Sequence, residues 1–584
     1  MEQKNDTKTI RHSLSHVLAT AVQEMFPEAK LGMGPAIENG FYYDFELPRT
    51  LIPEDLPILE EKMRKIIGQD FVFEKREAPK DKEIGFLEKI NQSYKAELAE
   101  GIEGDTLSFY SIKDPTSGKF IFIDLCAGPH VESMSDLRQA GFKLDKIAGA
   151  YWKGDEKNPM LQRIYGLAFE TKEELGNFIK QREEAEKRDH RKLGKELDLF
   201  VFSDLVGPGL PLYTPKGTAI KEALQKKVES ICRRYGFQKV STPSLAKIDL
   251  FKISGHADKF DDELFRVSSK GGLNFVLKPV QCPHQTQIYA SKTRSYRDLP
   301  IRYMESDKQY RAEKTGEVGG LSRVFAITVE DGHSFCRIDQ VKDEIKGMIG
   351  IIKDFYSELG LWGTQKISLS VRDYAHPEKY IGDTKDWDHA ERMLQEISEE
   401  MDLHAVRNEG EAALYGPKLD FMFKDAMGRD VQIPTVQLDF ATPQRFKLTY
   451  INEEGKEASP VMVHRAILGS YERFIALLTE HFAGAFPVWL APIQVIILPI
   501  ADRHFEYGEK VRKELEEAGI RVEIDIRTES VGKKIREAEL QKIPYMLVMG
   551  DKEIEAGKVA VRRYGEGDKG QVEIGEIIKE VKNV

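Results

Sequence analysis

His12 and His16 stand four residues apart in the stretch HSLSHVLAT, and Cys126 and His130 stand four apart in DLCAGPH. On a helix, residues i and i+4 share a face, so two imidazoles could meet a thiol and a third imidazole there. Those are the ligand types of a four-coordinate zinc site, and also groups that can activate water near neutral pH. Spacing alone leaves both open. Arginines form a second set: Arg311 in RYMESDKQYRAEK and Arg323 in GGLSRVF flank a glycine-containing loop, and Arg473 follows Gly469 in HRAILGSYERFI. Guanidinium forks match phosphate oxygens and stay charged, so the three together would hold a triphosphate. Any one of them alone reads as a surface ion pair. The chain has no Gly-Lys-Ser/Thr phosphate loop, which argues against a P-loop nucleotide site.

These residues need a large scaffold. At 584 residues the chain exceeds a single core, and roughly three to five units are expected. With 41% hydrophobic and 31% charged residues it reads as a globular enzyme. The longest apolar run considered, QVIILPI, is strand-sized, far below the roughly 18–20 residues of a membrane helix. The opening MEQKNDTKTIR has neither a secretory apolar core nor an Arg-rich, acid-poor composition, so a cytoplasmic protein is expected. Cys126, Cys232, Cys282 and Cys336 are too few and scattered for a disulfide framework. The net charge of −11 does not exclude RNA, because phosphate contacts depend on local patches. One patch, EKRDHRKLGKE, gathers Lys187, Arg188, Arg191, Lys192 and Lys195, although its charge pattern by itself suits a solvated linker helix.

Residues 1–180 mix strands such as GFYYDFEL and KFIFIDL with helices, an α+β pattern. A charged stretch with little to bury follows, and a linker helix is expected over 181–199. Over 200–490, long helices and the β-branched strands KISLSVR, VQIPTVQLDF and RVFAITV predict a large antiparallel-sheet domain. From 491 to 584, QVIILPI, RVEIDI, YMLVMG and KVAVRRY read as strands between the helices FEYGEKVRKELEEAG, GKKIREAELQK and EIGEIIKEVK, a small α/β domain.

The ordered blocks HSLSH, GFYYD, DLCAGPH, AGAYWKGD, LQRIYG, KRDHRKLGKELDLF, SYRDLPIR, ALYGPK, TVQLDF, VMVHRAILGSYERF, FPVWLAP and PYMLVMGDKE run along nearly the whole chain. On them the chain resembles the bacterial-type threonyl-tRNA synthetases, a family of class II aminoacyl-tRNA synthetases. The resemblance implies an α+β multidomain protein. An editing domain (1–180) and the linker (181–199) would precede a class II catalytic domain (200–490) on a six- or seven-stranded antiparallel sheet. An α/β anticodon-binding domain (491–584) would follow, and the protein would be a homodimer. The implied activity is ATP-dependent activation of L-threonine to the adenylate and its transfer to tRNA(Thr).

By the same resemblance Arg311 contacts the α-phosphate, Glu313 reads the adenine amino group, and Arg323 and Arg473 hold the γ-phosphate side. Gln432 and Thr435 line the ATP site, Mg²⁺ accompanies ATP, and Arg311, Lys418 and Arg473 are the catalytic set. One Zn²⁺ per subunit is implied on Cys282, His333 and His464, whose gaps of 51 and 131 residues match no compact zinc finger. Three protein ligands leave an open position where threonine, but not valine, could place both amino group and hydroxyl. Asp331 would pair with the ammonium, and Tyr415 and Lys418 would face the same pocket. Serine passes this filter, since a missing methyl is worth only about 1–3 kcal/mol. A second sieve is therefore implied: His12, His16, Cys126 and His130, with Lys95, Tyr43 and Asp124, would hydrolyse mischarged Ser-tRNA without a metal. In the last domain Arg527, Lys533, Lys534 and Arg536 are candidates for phosphate contacts.

The chain also departs from the family pattern. A small domain that many relatives carry before the editing domain is expected to be missing. VQCPHQ stands for MNCPGH, with Val280 at its start, and AITVEDGH stands for GFTQDDAH, with Ile327 for an adenine-stacking aromatic and Val329 for a glutamine. Ala127 replaces a common arginine. Competing readings are a prolyl- or seryl-type enzyme, a free-standing deacylase, and a tRNA- or mRNA-binding regulatory paralogue without amino-acid activation.

Overall fold

The computed structural model describes residues 6–314 and 316–583; the first five residues of MEQKNDTKTIR, read above for a targeting signal, lie outside them. The chain divides into two compact units, Met1–Glu183 and Glu184–Val584. In the first, helix Thr7–Met25 begins at Asp6, whose side chain accepts the Thr9 N–H at 2.7 Å, the usual N-cap bond. Its buried Leu14, Val17, Leu18 and Val22 share one core with Phe41, Phe45 and Ile164. The main antiparallel sheet runs Lys30–Leu31, Gly40–Glu46, Met160–Phe169, Gly141–Tyr151, with Ala36–Ile37 also on Gly40–Glu46. Side chains alternate along a strand, so Phe41, Tyr43 and Phe45 all turn inward and are fully buried. A second antiparallel sheet, Val72–Pro79, Thr106–Lys113 and Phe120–Leu125, leads into the loop that carries Cys126 and His130.

The expected single linker helix is two helices. Lys172–Arg188 buries none of its residues, as its charge predicts. It ends before Asp189, which caps His190–Glu196 by accepting the Arg191 N–H at 2.7 Å. That shorter helix is not a solvated connector: Leu193, with Leu197 and Leu199 after it, joins the largest core of the second unit.

This core lies under an eight-stranded sheet in the order Gln238–Lys239, Ile301–Tyr310, Ala326–Cys336, Val461–Ser470, Asp430–Asp439, Lys418–Lys424, Lys366–Val371, Val406–Glu409. The six inner strands are mutually antiparallel, as expected. The short edge strands pair in parallel and bring the count above the six or seven expected. Helices Pro215–Arg234, Val341–Glu358, Thr384–Glu400 and Tyr471–His481 supply apolar residues to the same core. Alternation along Val461–Ser470 sends Val461, Val463 and Ile467 into it and His464 to the opposite face.

Arg465 shares the helix-covered face. It is fully buried and forks onto Glu330 at 2.6 and 3.0 Å. A Cβ on Gly332 would meet its guanidinium carbon at 2.6 Å, so a side chain there would push Arg465 off this position. Removing one partner of such a pair strands the other charge. Arg465→Ala is therefore expected to lower the unfolding free energy by about 3–5 kcal/mol, while Arg465→Met with Glu330→Leu recovers most of it, as denaturant titration would read.

The C-terminal sheet runs Val522–Ile524, Val495–Pro499, Tyr545–Met549, Val559–Arg563, Gly567–Val572; its first three strands are parallel and its last two antiparallel. Phe505–Glu517, Val531–Leu540 and Ile574–Asn583 are the expected helices. Strand Gly567–Val572 was not anticipated. Its segment GDKGQV carries no alternating apolar signal and exists as the return arm of a hairpin. Lys534, expected to meet phosphate, is 2% exposed and donates to the Pro499 and Asp525 carbonyls at 3.0 and 2.8 Å. Arg527 is held by Asp525 and Glu537, and Lys533 by Glu529. Arg536 alone of the four is exposed with no such ion pair among the described residues.

Candidate functional site

The register of the large sheet sets two histidines opposite each other. His333 in Ala326–Cys336 is the cross-strand partner of His464 in Val461–Ser470, with ring centroids 4.7 Å apart. Cys282, the first residue of helix Cys282–Ala290, completes a buried triad whose ligand atoms all lie within 4.8 Å of one another. Neighbours select the ring nitrogens. His333 Nδ1–H donates to Gln285 Oε1 at 2.8 Å, and His464 Nε2–H donates to the Asp439 carboxylate at 2.9 Å. Asp439 is itself buried and accepts the Thr442 N–H at 2.8 Å. This leaves His333 Nε2 and His464 Nδ1 as lone pairs, and His333 Nε2 is buried without a hydrogen-bond partner. A buried orphan acceptor costs about 1–3 kcal/mol, and carboxylate- or amide-oriented imidazoles beside a thiol are a donor set that fits zinc with one position open.

The triad opens onto a cleft of about 340 Å³ whose walls include Cys282, His464, Asp331, Tyr415, Gln432, Thr435, Glu313, Arg311, Arg323 and Arg473. Asp331 follows the same strand face as His333, 3.6 Å from its Nε2, and burial pushes its carboxyl up to about 7. The Tyr415 ring stacks on His464 at 4.5 Å, and its hydroxyl donates to Gln437 Oε1 at 2.5 Å. Arg473 donates to the Ser322 carbonyl at 3.1 Å, and Arg323 pairs with Glu313 at 2.7 Å and Glu317 at 2.9 Å. Burial lowers the Arg473 pKa, and the like charges of Arg323 and Arg311 lower it further, with Glu313 opposing. Three guanidinium groups in mutual electrostatic reach, only partly neutralised, make a site for a polyanion. Val280, Ile327 and Val329 line the same cleft and make those parts of its wall apolar.

Lys418 is not on these walls. Its ammonium lies 2.9 Å from Asp420, which also accepts from Ser370 at 2.7 Å and from Gln432 at 2.7 Å. Lys418 thus belongs to the network that orients Gln432. Among the groups that escaped the sequence reading are Gln437 on the cleft wall and His256 beside Tyr415. Gln437, two residues beyond Thr435 on the same strand, was detectable by alternation alone. His256 in SGHADKF is 7% exposed, with its ring 6.3 Å from Tyr415; burial and Arg311 push its pKa down to about 4. Nothing local marks it.

In the first unit all seven expected side chains converge. Helix Thr7–Met25 supplies His12 and His16; strand Gly40–Glu46, Tyr43; helix Ser93–Gly101, Lys95; strand Phe120–Leu125, Asp124; and the following loop, Cys126 and His130. Ligand atoms of the three histidines and Cys126 lie within 4.8 Å of one another. Gly128 shapes the loop: its φ is +74°, and a Cβ there would meet the Tyr110 hydroxyl at 2.5 Å. Asp124 joins the set by pairing with Lys95 at 2.7 Å, accepting from the Tyr43 hydroxyl, and standing 3.6 Å from His16 Nε2.

His12 Nδ1 must donate to the Pro129 carbonyl, 3.1 Å away. Ser13 donates to the Thr9 carbonyl, so His130 Nδ1–H donates to the Ser13 hydroxyl at 3.2 Å. Both Nε2 lone pairs therefore face Cys126 Sγ, each at 3.3 Å. One S–H can satisfy only one of them, which leaves an imidazole free to take a proton from water. Burial raises the Cys126 thiol to about 11, so it is not a thiolate nucleophile at neutral pH. The same ligand atoms also have the types a metal would require.

Burial lowers the pKa of His12, His16 and His130 from 6.5, in the latter two far below it. Unfolding lets each take up a proton at its ordinary value. The stability gained from keeping them neutral is complete above pH 6.5 and is lost as pH falls through 6.5 toward the lowered folded values. Calorimetry is expected to show the transition of this unit moving down between about pH 7 and pH 5, by about 2–4 °C per kcal/mol lost.

Family models match residues 107–165 as a threonyl and alanyl tRNA synthetase second additional domain, 265–482 as a class II tRNA synthetase core domain (G, H, P, S and T), and 494–584 as an anticodon-binding domain. The threonine–tRNA ligase of Gloeobacter violaceus is 48% identical over 577 residues, 97% of this chain and 91% of the relative. That of Halalkalibacterium halodurans is 44% identical, covering 99% of this chain and 89% of the relative. Among solved structures, the RNA binding domain of threonyl-tRNA synthetase from Cryptosporidium parvum aligns with a TM-score of 0.64 and 34% identity, over 68% of this chain and 98% of that one.

Proposed function

The chain belongs to the threonine–tRNA ligases, class II aminoacyl-tRNA synthetases with an editing module, and on that premise we propose how its residues divide the work. The proposed domains are editing at 1–180, a linker at 181–199, catalysis at 200–490 and anticodon binding at 491–584. Helix His190–Glu196 packs with the catalytic core.

In the catalytic domain Cys282, His333 and His464 would hold one zinc ion, which when bound supplies a Lewis-acid position for the amino and hydroxyl groups of threonine. Asp331 would pair with the ammonium, and Tyr415, held by Gln437, would close the pocket beside His464. Arg311 would neutralise the α-phosphate as the threonine carboxylate attacks it and pyrophosphate leaves, and Arg323 and Arg473 would bind the γ-phosphate side of ATP. Glu313 would read adenine, exchanging its bond with Arg323 for the base. Gln432 and Thr435 would line the nucleotide site, and Mg²⁺ would enter with ATP. Lys418 would act through Asp420 and Gln432.

In the editing domain, the imidazole lone pair left over at Cys126 would take a proton from water as the oxygen attacks the seryl ester carbonyl. The ester C–O bond then breaks and the proton passes to the tRNA ribose oxygen. Asp124, fixed by Lys95 and Tyr43, would orient His16.

The partners in this reading are tRNA(Thr), ATP, L-threonine and a second copy of the chain, in the cytoplasm. No described helix is long and apolar enough to cross a membrane. Exposed Val201, Phe202, Leu205, Val206 and Leu212 support the homodimer, and Leu205→Glu is expected to shift the sedimentation coefficient toward monomer.

The observation that carries the reading is the cross-strand His333–His464 pair with Cys282 at the end of an arginine-lined cleft. Amino-acid-dependent ATP–pyrophosphate exchange tests it. Strong exchange with threonine, weaker with serine and almost none with valine or proline is expected. Comparable exchange with valine would sink the hydroxyl-reading pocket.

A further inference from the structure

Asp189, His190 and Glu480 bring three potential ligand atoms together outside both sites, but this cluster is not built for a metal. His190 is 5% exposed, and both of its nitrogens are engaged. Nδ1–H donates to Glu480 Oε1 at 2.7 Å, and Nε2 accepts the Leu321 backbone N–H at 3.1 Å. The His190 backbone N–H lies on the same Glu480 oxygen at 3.3 Å. No lone pair remains on the ring for a cation.

What the ring grips is a loop of the nucleotide cleft. Gly319 and Arg323 close it by exchanging backbone hydrogen bonds of 3.1 and 3.4 Å, with buried Leu321 between them. Gly320 passes so close to the imidazole that a Cβ would lie 2.3 Å from Nε2. Arg473 and Glu480 are seven residues apart on helix Tyr471–His481, two turns along one face. Arg473 pins the loop directly at the Ser322 carbonyl, and Glu480 pins it through His190. Arg473 holds Ser322 through Nε alone, which leaves its Nη groups for phosphate, and the His190 tie is a second, independent hold on the register of Arg323.

We infer that His190 is a positioning residue for ATP: it fixes the loop Gly319–Arg323 against helix Tyr471–His481 so that Arg323 meets the phosphates. The inference rests on the ATP reading of the cleft given above. His190→Leu removes both bonds. Its KM for ATP is expected to rise about tenfold to a hundredfold in pyrophosphate exchange, with KM for threonine and kcat little changed. The Leu321 amide should exchange hydrogen faster. His190→Gln, which can accept from Leu321 and donate to Glu480, should return KM for ATP to within about threefold of the parent.

An unchanged KM for ATP in folded His190→Leu would overturn the inference. So would equal impairment of the Gln and Leu variants, or parallel rises in KM for ATP and threonine. If His190→Leu does not fold, Glu480→Ala takes its place, with the same split expected at smaller size and an unchanged KM for ATP again decisive against. Arg323→Met tests the underlying reading separately. A raised KM for ATP there alongside an unaffected His190→Leu would retire only the role of His190, whereas no change there would retire the ATP reading of the loop and this inference together.

Discussion

Replacing Cys282 by alanine is expected to lower threonine-dependent ATP–pyrophosphate exchange by about 10³-fold or more, since Lewis-acid stabilisation is worth several kcal/mol and each 1.4 kcal/mol is about tenfold. Hydrolysis of supplied Ser-tRNA should be untouched, because the residues proposed for editing belong to a different compact unit. The structural basis is that Cys282 is the only thiol among the three buried residues proposed as ligands, and His333 Nε2 is buried without a hydrogen-bond partner. Bound zinc, read by elemental mass spectrometry, should fall with the activity. Asp439→Ala should do less: loss of the hydrogen bond that orients His464 is worth about 10–100-fold in metal affinity. Retained exchange in Cys282→Ala would remove the metal from threonine activation.

The converse experiment is His12→Ala with His16→Ala. Ser-tRNA hydrolysis should drop by about 10²–10⁴-fold, the usual contribution of a positioned general base, while threonine activation continues. Serine should then accumulate on tRNA(Thr), because the proposed threonine pocket would separate serine from threonine by only one methyl. Both histidines lie on one face of helix Thr7–Met25, with His12 at Cys126 and His16 at Asp124, so the double change opens both halves of the cluster. Unchanged hydrolysis would take these residues out of the chemistry. Chelation separates the two uses of their ligand set: hydrolysis that survives it belongs to a metal-free pocket, whereas loss reversed by added zinc would make the cluster a metal site.

Some of this was legible in the chain as written. Helix and strand patterns depend on local periodicity, and they located Lys366–Val371, Asp430–Asp439 and part of Ala326–Cys336 in the large sheet and most of the C-terminal α/β elements, but not the other inner strands. The i, i+4 spacing of His12 and His16 already implied a shared face, and the helix bears it out. The types of Arg311, Arg323 and Arg473 implied an anion, and the cleft brings all three together.

Other features are properties of the assembled fold. His333 and His464 meet because strands 131 residues apart pair in one register, and a shift of one residue would turn His464 into the helix-covered core where Arg465 lies. Gln285, Asp439, Pro129 and Ser13 choose the ring nitrogens, and none of them is near its histidine in sequence: Ser13 stands beside His12 but selects the nitrogen of His130. Lys534 was read as a surface cation because lysine usually is one; two backbone carbonyls at the ends of separate segments bury it. His190 lay in a run that its charges marked as solvent-facing, yet Leu193, Leu197 and Leu199 bury that helix end against the core. The sequence by itself determined most of the elements and the chemical groups they carry, because propensity and periodicity are local. Only the tertiary structure decided which groups meet and which lone pairs stay free, because register and burial depend on neighbours far away along the chain.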